Sequence, residues 1–106
     1  MKFLINGRKW EIVYCDKYNK ELKELAEEQV SGLTDYYHSK IFILNDLTKD
    51  FTIDTIYHEL MHAFMFTYGY AQFDSYNDEN ICDMIGAFGK ELFTTAEKII
   101  KETDFE

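Results

Sequence analysis

A pair of histidines four residues apart constrains this chain more than any other feature of its sequence. His58 and His62 enclose Glu59 in the pattern HExxH, and the flanking residues 52–68 have helical spacing. Residues four apart lie on one face of a helix, so both imidazoles can bind one metal ion, and imidazole suits Zn²⁺. Glu59 then lies beside the metal, where its carboxylate can take a proton from a water molecule that the metal activates.

The rest of the chain predicts an α+β domain that spans residues 1–106, with a small, mostly antiparallel sheet of two hairpins packed on helices. Asn6-Gly7 lies between two alternating apolar runs, the strongest short signal for a β-hairpin, because both residues accept a positive φ. A second hairpin is predicted to turn at His38-Ser39. The predicted elements are strands at 2–5 and 9–14, a helix at 17–30, strands at 33–37 and 40–44, and helices at 52–68 and from 75–78 to 100.

Residues with special backbone or capping roles set the predicted limits of the helices. Gly32 is expected to end the first helix and Gly69 the second, since glycine accepts the left-handed conformation that follows many helices. Asp50 or Thr52 is expected to cap the second helix. Gly86 is expected to let the last two helices approach closely. An apolar stripe is expected along the last helix: Ile81, Ile85, Phe88 and Leu92.

Composition and charge exclude several classes of function. Hydrophobic residues make up 46% of the chain and aromatic residues 17%, which is enough for a packed core. Eleven basic against twenty acidic residues give a net charge of −9, so a basic face for nucleic acid is not expected. No apolar run is long enough to span a bilayer, and no secretory signal is present, which favours the cytoplasm. The two cysteines, Cys15 and Cys82, are expected to be buried and unpaired.

A catalytic zinc site needs a third protein ligand beyond the two histidines. The candidates are His38 and the acidic residues after the histidine helix: Asp74, Asp78, Glu79 and Asp83. Glu79 is favoured because it opens the last helix after a loop long enough to fold that helix back, and Asp78 is the main rival. Asp83 lies one turn after Glu79, where it can accept a hydrogen bond from a ligand histidine and fix its tautomer.

The HExxH helix resembles that of the zincin metallopeptidases. The segment Glu79-Asn80-Ile81-Cys82-Asp83 resembles the E-x-x-x-D pattern of their gluzincin branch. This resemblance implies that Glu79 is the third zinc ligand and that Asp83 braces His58. The order of elements over about residues 32–95 is similar to that of small phage- and prophage-encoded metallopeptidases and of a minimal ImmA/IrrE-type domain.

The predicted activity is hydrolysis of a peptide bond in a peptide or protein substrate, with Zn²⁺ on His58, His62 and Glu79 and with Glu59 as general base. In zincins the substrate lies extended along an edge strand that precedes the metal helix. That strand is expected to be residues 40–45, with Ile41, Phe42, Ile43 and Leu44 at its centre. The candidates for stabilising the oxyanion are Tyr68, Tyr70, Tyr76 and His38.

Two other functions remain open at this stage. The first is a non-enzymatic, acidic interaction or inhibitor module of phage origin on a zincin fold, in which any metal is structural. The second is a metal-dependent hydrolase that acts on bonds other than peptide bonds. Glu59 distinguishes the non-enzymatic module from an enzyme, because a purely structural metal site does not need a carboxylate at that position.

Overall fold

A computed structural model describes residues 1–71 and 76–105. The described residues form an α+β fold with a four-stranded mixed sheet and three helices, in the predicted order ββαββαα. No helix among them is long and apolar enough to cross a membrane. The elements are β1 (Lys2–Ile5), β2 (Arg8–Cys15), α1 (Lys20–Leu25), β3 (Gly32–Asp35), β4 (Lys40–Leu44), α2 (Lys49–Thr67) and α3 (Asp78–Glu102).

Both predicted hairpins are present, and a parallel pairing joins them. The sheet has the order β1-β2-β4-β3, with antiparallel pairs at both ends and a parallel pair, β2 and β4, in the centre. Asn6 and Gly7 have φ values of 47° and 79°, as the first hairpin turn requires. In the second turn Ser39 takes the left-handed conformation with φ 53°, and Asp35 Oδ1 accepts hydrogen bonds from the backbone N–H groups of Tyr37 and His38.

The two faces of the sheet are covered by different helices. Helices α2 and α3 cover one face, where Trp10, Ile12, Ile41 and Ile43 join the main core. Helix α1 lies on the other face with a smaller cluster that includes Leu22, Phe42 and Leu44. Alternate residues of β4 therefore enter different cores, and Ile41, Phe42, Ile43 and Leu44 are all buried.

Helix α1 is much shorter than predicted and does not end at Gly32. Asn19 caps it, Ala26 closes it, and Leu22 is its one buried residue. Such a helix buries little apolar surface, and the acidic Glu27 and Glu28 would repel the negative end of a longer helix dipole.

The longer helices match the predicted segments, with different caps and a different apolar face. Thr48, rather than Asp50 or Thr52, caps α2 by accepting a hydrogen bond from the Phe51 N–H. Gly69 follows α2 with φ 84° as predicted, and α3 begins after Asn77, whereas Ser75 lies outside the described residues. Three expectations for α3 were wrong. Ile81 and Ile85 are exposed and do not join the predicted apolar stripe, and Cys82 is exposed rather than buried. Gly86 is exposed and makes no close contact with another helix, because a Cβ on it would meet nothing within 4 Å.

Candidate metal and catalytic site

Helix α2 places His58 and His62 side by side on its outer surface. Leu60 and Phe64 are fully buried against the sheet and α3, which turns the two histidines away from the core. The centroids of the two imidazole rings are 5.0 Å apart, with an angle of 71° between the ring planes. The side chain of His58 is 68% exposed, so this pair can be reached from solvent.

Glu59 is the buried member of the motif, and a residue of β3 holds its carboxylate. Its side chain is only 9% exposed. The Thr34 hydroxyl lies 2.8 Å from Oε1 of Glu59 and 3.1 Å from its backbone carbonyl oxygen, so it can donate to either. The other carboxylate oxygen, Oε2, lies 3.8 Å from Nε2 of His58. Glu59 therefore has one oxygen anchored to the sheet and the other directed toward the histidine pair.

Glycine at position 32 lets β3 lie directly against α2. A Cβ on Gly32 would come within 2.7 Å of Thr55 Cγ2, 3.0 Å of Glu59 Cγ and 3.0 Å of the Phe42 carbonyl oxygen. Gly32 and Thr34 are two residues apart on β3, so both face α2. The close approach of the two elements at Gly32 therefore brings the Thr34 hydroxyl within hydrogen-bonding distance of Glu59.

An open groove of about 360 Å³ follows this contact between β3 and α2, and we call it the β3–α2 groove. The outer edge of β3 borders it, because within residues 1–71 and 76–105 β3 pairs with β4 alone and is the last strand of the sheet on this side. The unpaired backbone groups of such an edge can bind an extended peptide. The residues that line the groove include Val30, Gly32, Phe51, Asp54, His58 and Glu59.

The structure does not bring the predicted third ligand to the histidine pair. Ring contacts of Tyr57 with Phe93 and of Phe64 with Phe88 show that α2 and α3 run antiparallel. Glu79 is exposed in the first turn of α3, about 13 Å along the helix from Phe88 at 1.5 Å per residue. Within residues 1–71 and 76–105, no group of three or more His, Cys, Asp or Glu side chains is placed to hold a metal ion.

The other acidic candidates are equally separate from the histidines. Asp78 and Asp83 are exposed on α3, and no hydrogen bond or ion pair in the described part of the chain joins Asp83 to His58. Asp74 lies outside the described residues. The roles of Glu79 and Asp83 therefore stay predictions.

His38 lies on the opposite face of the sheet from the histidine pair. Its Nδ1 is 2.7 Å from Oδ2 of the buried Asp35. Asp35 pairs in register with Lys40, whose ammonium group bonds Glu21 of α1. Residues directly opposite on antiparallel strands share a face, so Asp35 and His38 belong to the α1 side.

The predicted substrate strand was wrong, because β4 is not an edge strand. Residues Lys40–Leu44 pair with β2 on one side and with β3 on the other. Their backbone groups are used within the sheet, so Ile41, Phe42, Ile43 and Leu44 cannot pair with a substrate. The parallel pairing of β2 with β4 leaves β3 as the open edge beside α2, and this pairing has no local sequence signal.

Tyr36 is a further residue of the candidate site, and the sequence motifs did not identify it. Its ring contacts Phe66 of α2, with centroids 4.9 Å apart. Burial raises the pKa of Tyr36, and the negative charges of Glu59 and then of Tyr76 raise it further. The alternation of Gly32, Thr34 and Tyr36 toward α2 was a signal that could have found it.

The earlier oxyanion candidates have other contacts in the structure. Tyr68 donates a hydrogen bond to Glu91, and the Tyr76 hydroxyl donates to the backbone carbonyl of Tyr70. The imidazole of His58, the anchored carboxylate of Glu59 and the start of the open strand edge at Gly32 thus line one groove, and His62 lies beside His58 on α2. Comparison of the chain with protein-family models, with curated proteins and with solved structures found no match.

Proposed function

We propose that the chain is a zinc-dependent peptidase in which Glu59 is the general base. The observation that carries this proposal is the anchored carboxylate: Thr34 holds Oε1 of Glu59 while Oε2 lies 3.8 Å from Nε2 of His58. A carboxylate buried only to support the fold has no need of a free oxygen beside two solvent-facing imidazoles. The proposal also draws on the open edge of β3, along which a peptide can add as a further strand.

The donors present fit zinc in type, and two of them are in place. His58 and His62 offer neighbouring imidazoles, which are preferred zinc ligands. Glu79 is proposed as the third ligand, with Asp78 as its rival. A bound Zn²⁺ would supply Lewis-acid activation of water and of the scissile carbonyl group. Glu59 would accept the proton of the attacking water and pass it to the leaving amine, and Thr34 would keep its carboxylate oriented for both transfers.

Zinc content and hydrolysis, measured on matched variants, test this proposal. We expect about one zinc per chain in the wild type and in Glu59→Gln, and much less in His62→Ala. A loss in Glu79→Ala but not in Asp78→Ala would identify the third ligand. Glu59→Gln keeps the size of the side chain and removes the base, so hydrolysis of a defined mixture of synthetic peptides should fall about 10²- to 10⁴-fold.

Two results would contradict the proposal in different ways. Equal hydrolysis by wild type and Glu59→Gln would remove the general base from the mechanism. A folded wild-type protein that takes up no zinc after loading would refute the metal site. In that case the acidic interaction or inhibitor module would become the better explanation of a chain with a net charge of −9.

A further inference from the structure

One end of the β3–α2 groove is lined by side chains that have no role in the proposed hydrolysis. Phe51 and Asp54 precede His58 on α2, and both line the groove. Phe51 is 50% exposed although it is a large apolar residue. Asp54 is exposed, and its carboxylate makes no hydrogen bond or ion pair in the described part of the chain.

The titratable side chains that line the groove are two carboxylates and the imidazole of His58, which also belongs to the proposed zinc site. Asp54 and Glu59 are its acidic lining residues, and none of the described lysine or arginine residues lines it. The whole chain carries a net charge of −9, so the protein surface as a whole contributes a negative potential. An aromatic ring beside an unpaired carboxylate suits a side chain with an apolar stem and a cationic head, since the ring packs on the stem and attracts the cation.

We propose that the β3–α2 groove selects an extended peptide with an arginine or lysine side chain, which packs on Phe51 and pairs with Asp54. This inference rests on the proposed function, because it assigns the substrate class of the same site. A peptide that adds to the edge of β3 places alternate side chains on the side of α2, and one of them enters the groove. An acidic side chain at that position would be repelled by the carboxylate of Asp54.

Direct binding tests the groove separately from hydrolysis. The protein is the full-length Glu59→Gln variant in zinc-containing buffer, which should bind peptides without cleaving them. The probes are fluorescein-labelled nonapeptide pools, randomised at the flanking positions, with arginine, citrulline or glutamate fixed at the centre. Citrulline has nearly the shape of arginine but no charge. We expect the arginine pool to bind about fivefold more tightly than the citrulline pool, the effect of one partly exposed charge pair.

A second acidic substitution on the same helix provides the matched control. Asp54→Asn should abolish the preference for arginine over citrulline. Asp50→Asn removes the same charge one turn earlier on α2, outside the groove lining, and should keep the preference. Equal binding of the arginine and citrulline pools, no detectable binding of any pool, or the same loss in both variants would overturn the proposal.

Hydrolysis by the wild type separates this inference from the peptidase proposal. If the arginine preference in binding holds but wild type and Glu59→Gln hydrolyse equally little, the groove assignment stands and the peptidase fails. If the wild type cleaves all three pools equally in a Glu59-dependent way, the peptidase stands and the groove assignment fails.

Discussion

Replacing Gly32 by alanine tests the contact on which the whole site depends. The added Cβ would lie 2.7 Å from Thr55 Cγ2 and 3.0 Å from both Glu59 Cγ and the Phe42 carbonyl oxygen. The Phe42 oxygen belongs to the backbone of β4, which is paired on both sides and cannot easily move. The contacts with Thr55 and Glu59 are relieved if β3 and α2 separate, which weakens the hydrogen bond from Thr34 to Glu59, whereas the contact with Phe42 strains the pairing of β3 with β4.

The expected cost follows from the size of this overlap. Overpacking of a well-packed site costs about 1–3 kcal/mol. Gly32 does not have a positive φ, so alanine brings no backbone strain and recovers about 0.4–1 kcal/mol through the unfolded chain. We expect a net loss of about 1–2 kcal/mol in the free energy of unfolding. Gly86→Ala is the matched control, because a Cβ there has open space and should stabilise α3 by about 0.5–1 kcal/mol.

Urea unfolding followed by the fluorescence of Trp10 measures both variants. Trp10 is the one tryptophan of the chain and is 2% exposed, so its emission reports loss of the core. Opposite shifts of the two variants, separated by about 2 kcal/mol, would support the reasoning. A Gly32→Ala protein as stable as the wild type would refute the close approach of β3 to α2, and with it the basis for the anchored carboxylate.

Two further predictions concern the hydrogen bonds that hold α3 and the C-terminal segment. Burial raises the pKa of Tyr14, whose hydroxyl is hydrogen-bonded to Thr103, so Tyr14 ionises in the unfolded chain first and the free energy of unfolding should fall as the pH rises above about 10. Tyr14→Phe should make this fall shallower and should cost about 1 kcal/mol at pH 7 through the lost hydrogen bond. Urea unfolding at pH 7 and above pH 10 measures both effects. Asn77→Ala removes the capping box with Asn80 and should lower the free energy of unfolding by about 1 kcal/mol in the same urea experiment. The control is Thr94→Ala in the exposed middle of α3, which should change the stability little. Equal effects of the two substitutions would contradict the capping role of Asn77.

Local signals accounted for most of the fold. Asn6-Gly7 specified the first hairpin, and the helical spacing around His58 located α2, because both patterns depend on neighbours in sequence. The limits of α1 and the exposure of Ile81 were missed, since a residue's apolar character does not say whether another element covers it. The parallel pairing of β2 with β4 joins residues remote in the chain, and short patterns cannot encode it.

The candidate site also combines residues that local sequence predicts with residues that only the structure brings together. The motif alone placed His58, Glu59 and His62 together, because helix geometry fixes their spacing. Thr34 and Tyr36 come from a strand whose position beside α2 depends on the order of the sheet, so only the structure associates them with Glu59. Glu79 depended on how α3 crosses α2, and the antiparallel contacts leave it away from the histidines.

The parallel pair at the centre of the sheet has a consequence for how the protein folds. Each hairpin can close within a few residues, since β1 turns directly into β2 and β3 into β4. Joining β2 to β4 requires the chain between Cys15 and Lys40 to close as a loop before the parallel pairing itself contributes any energy. We therefore expect the docking of the two hairpins to limit the folding rate.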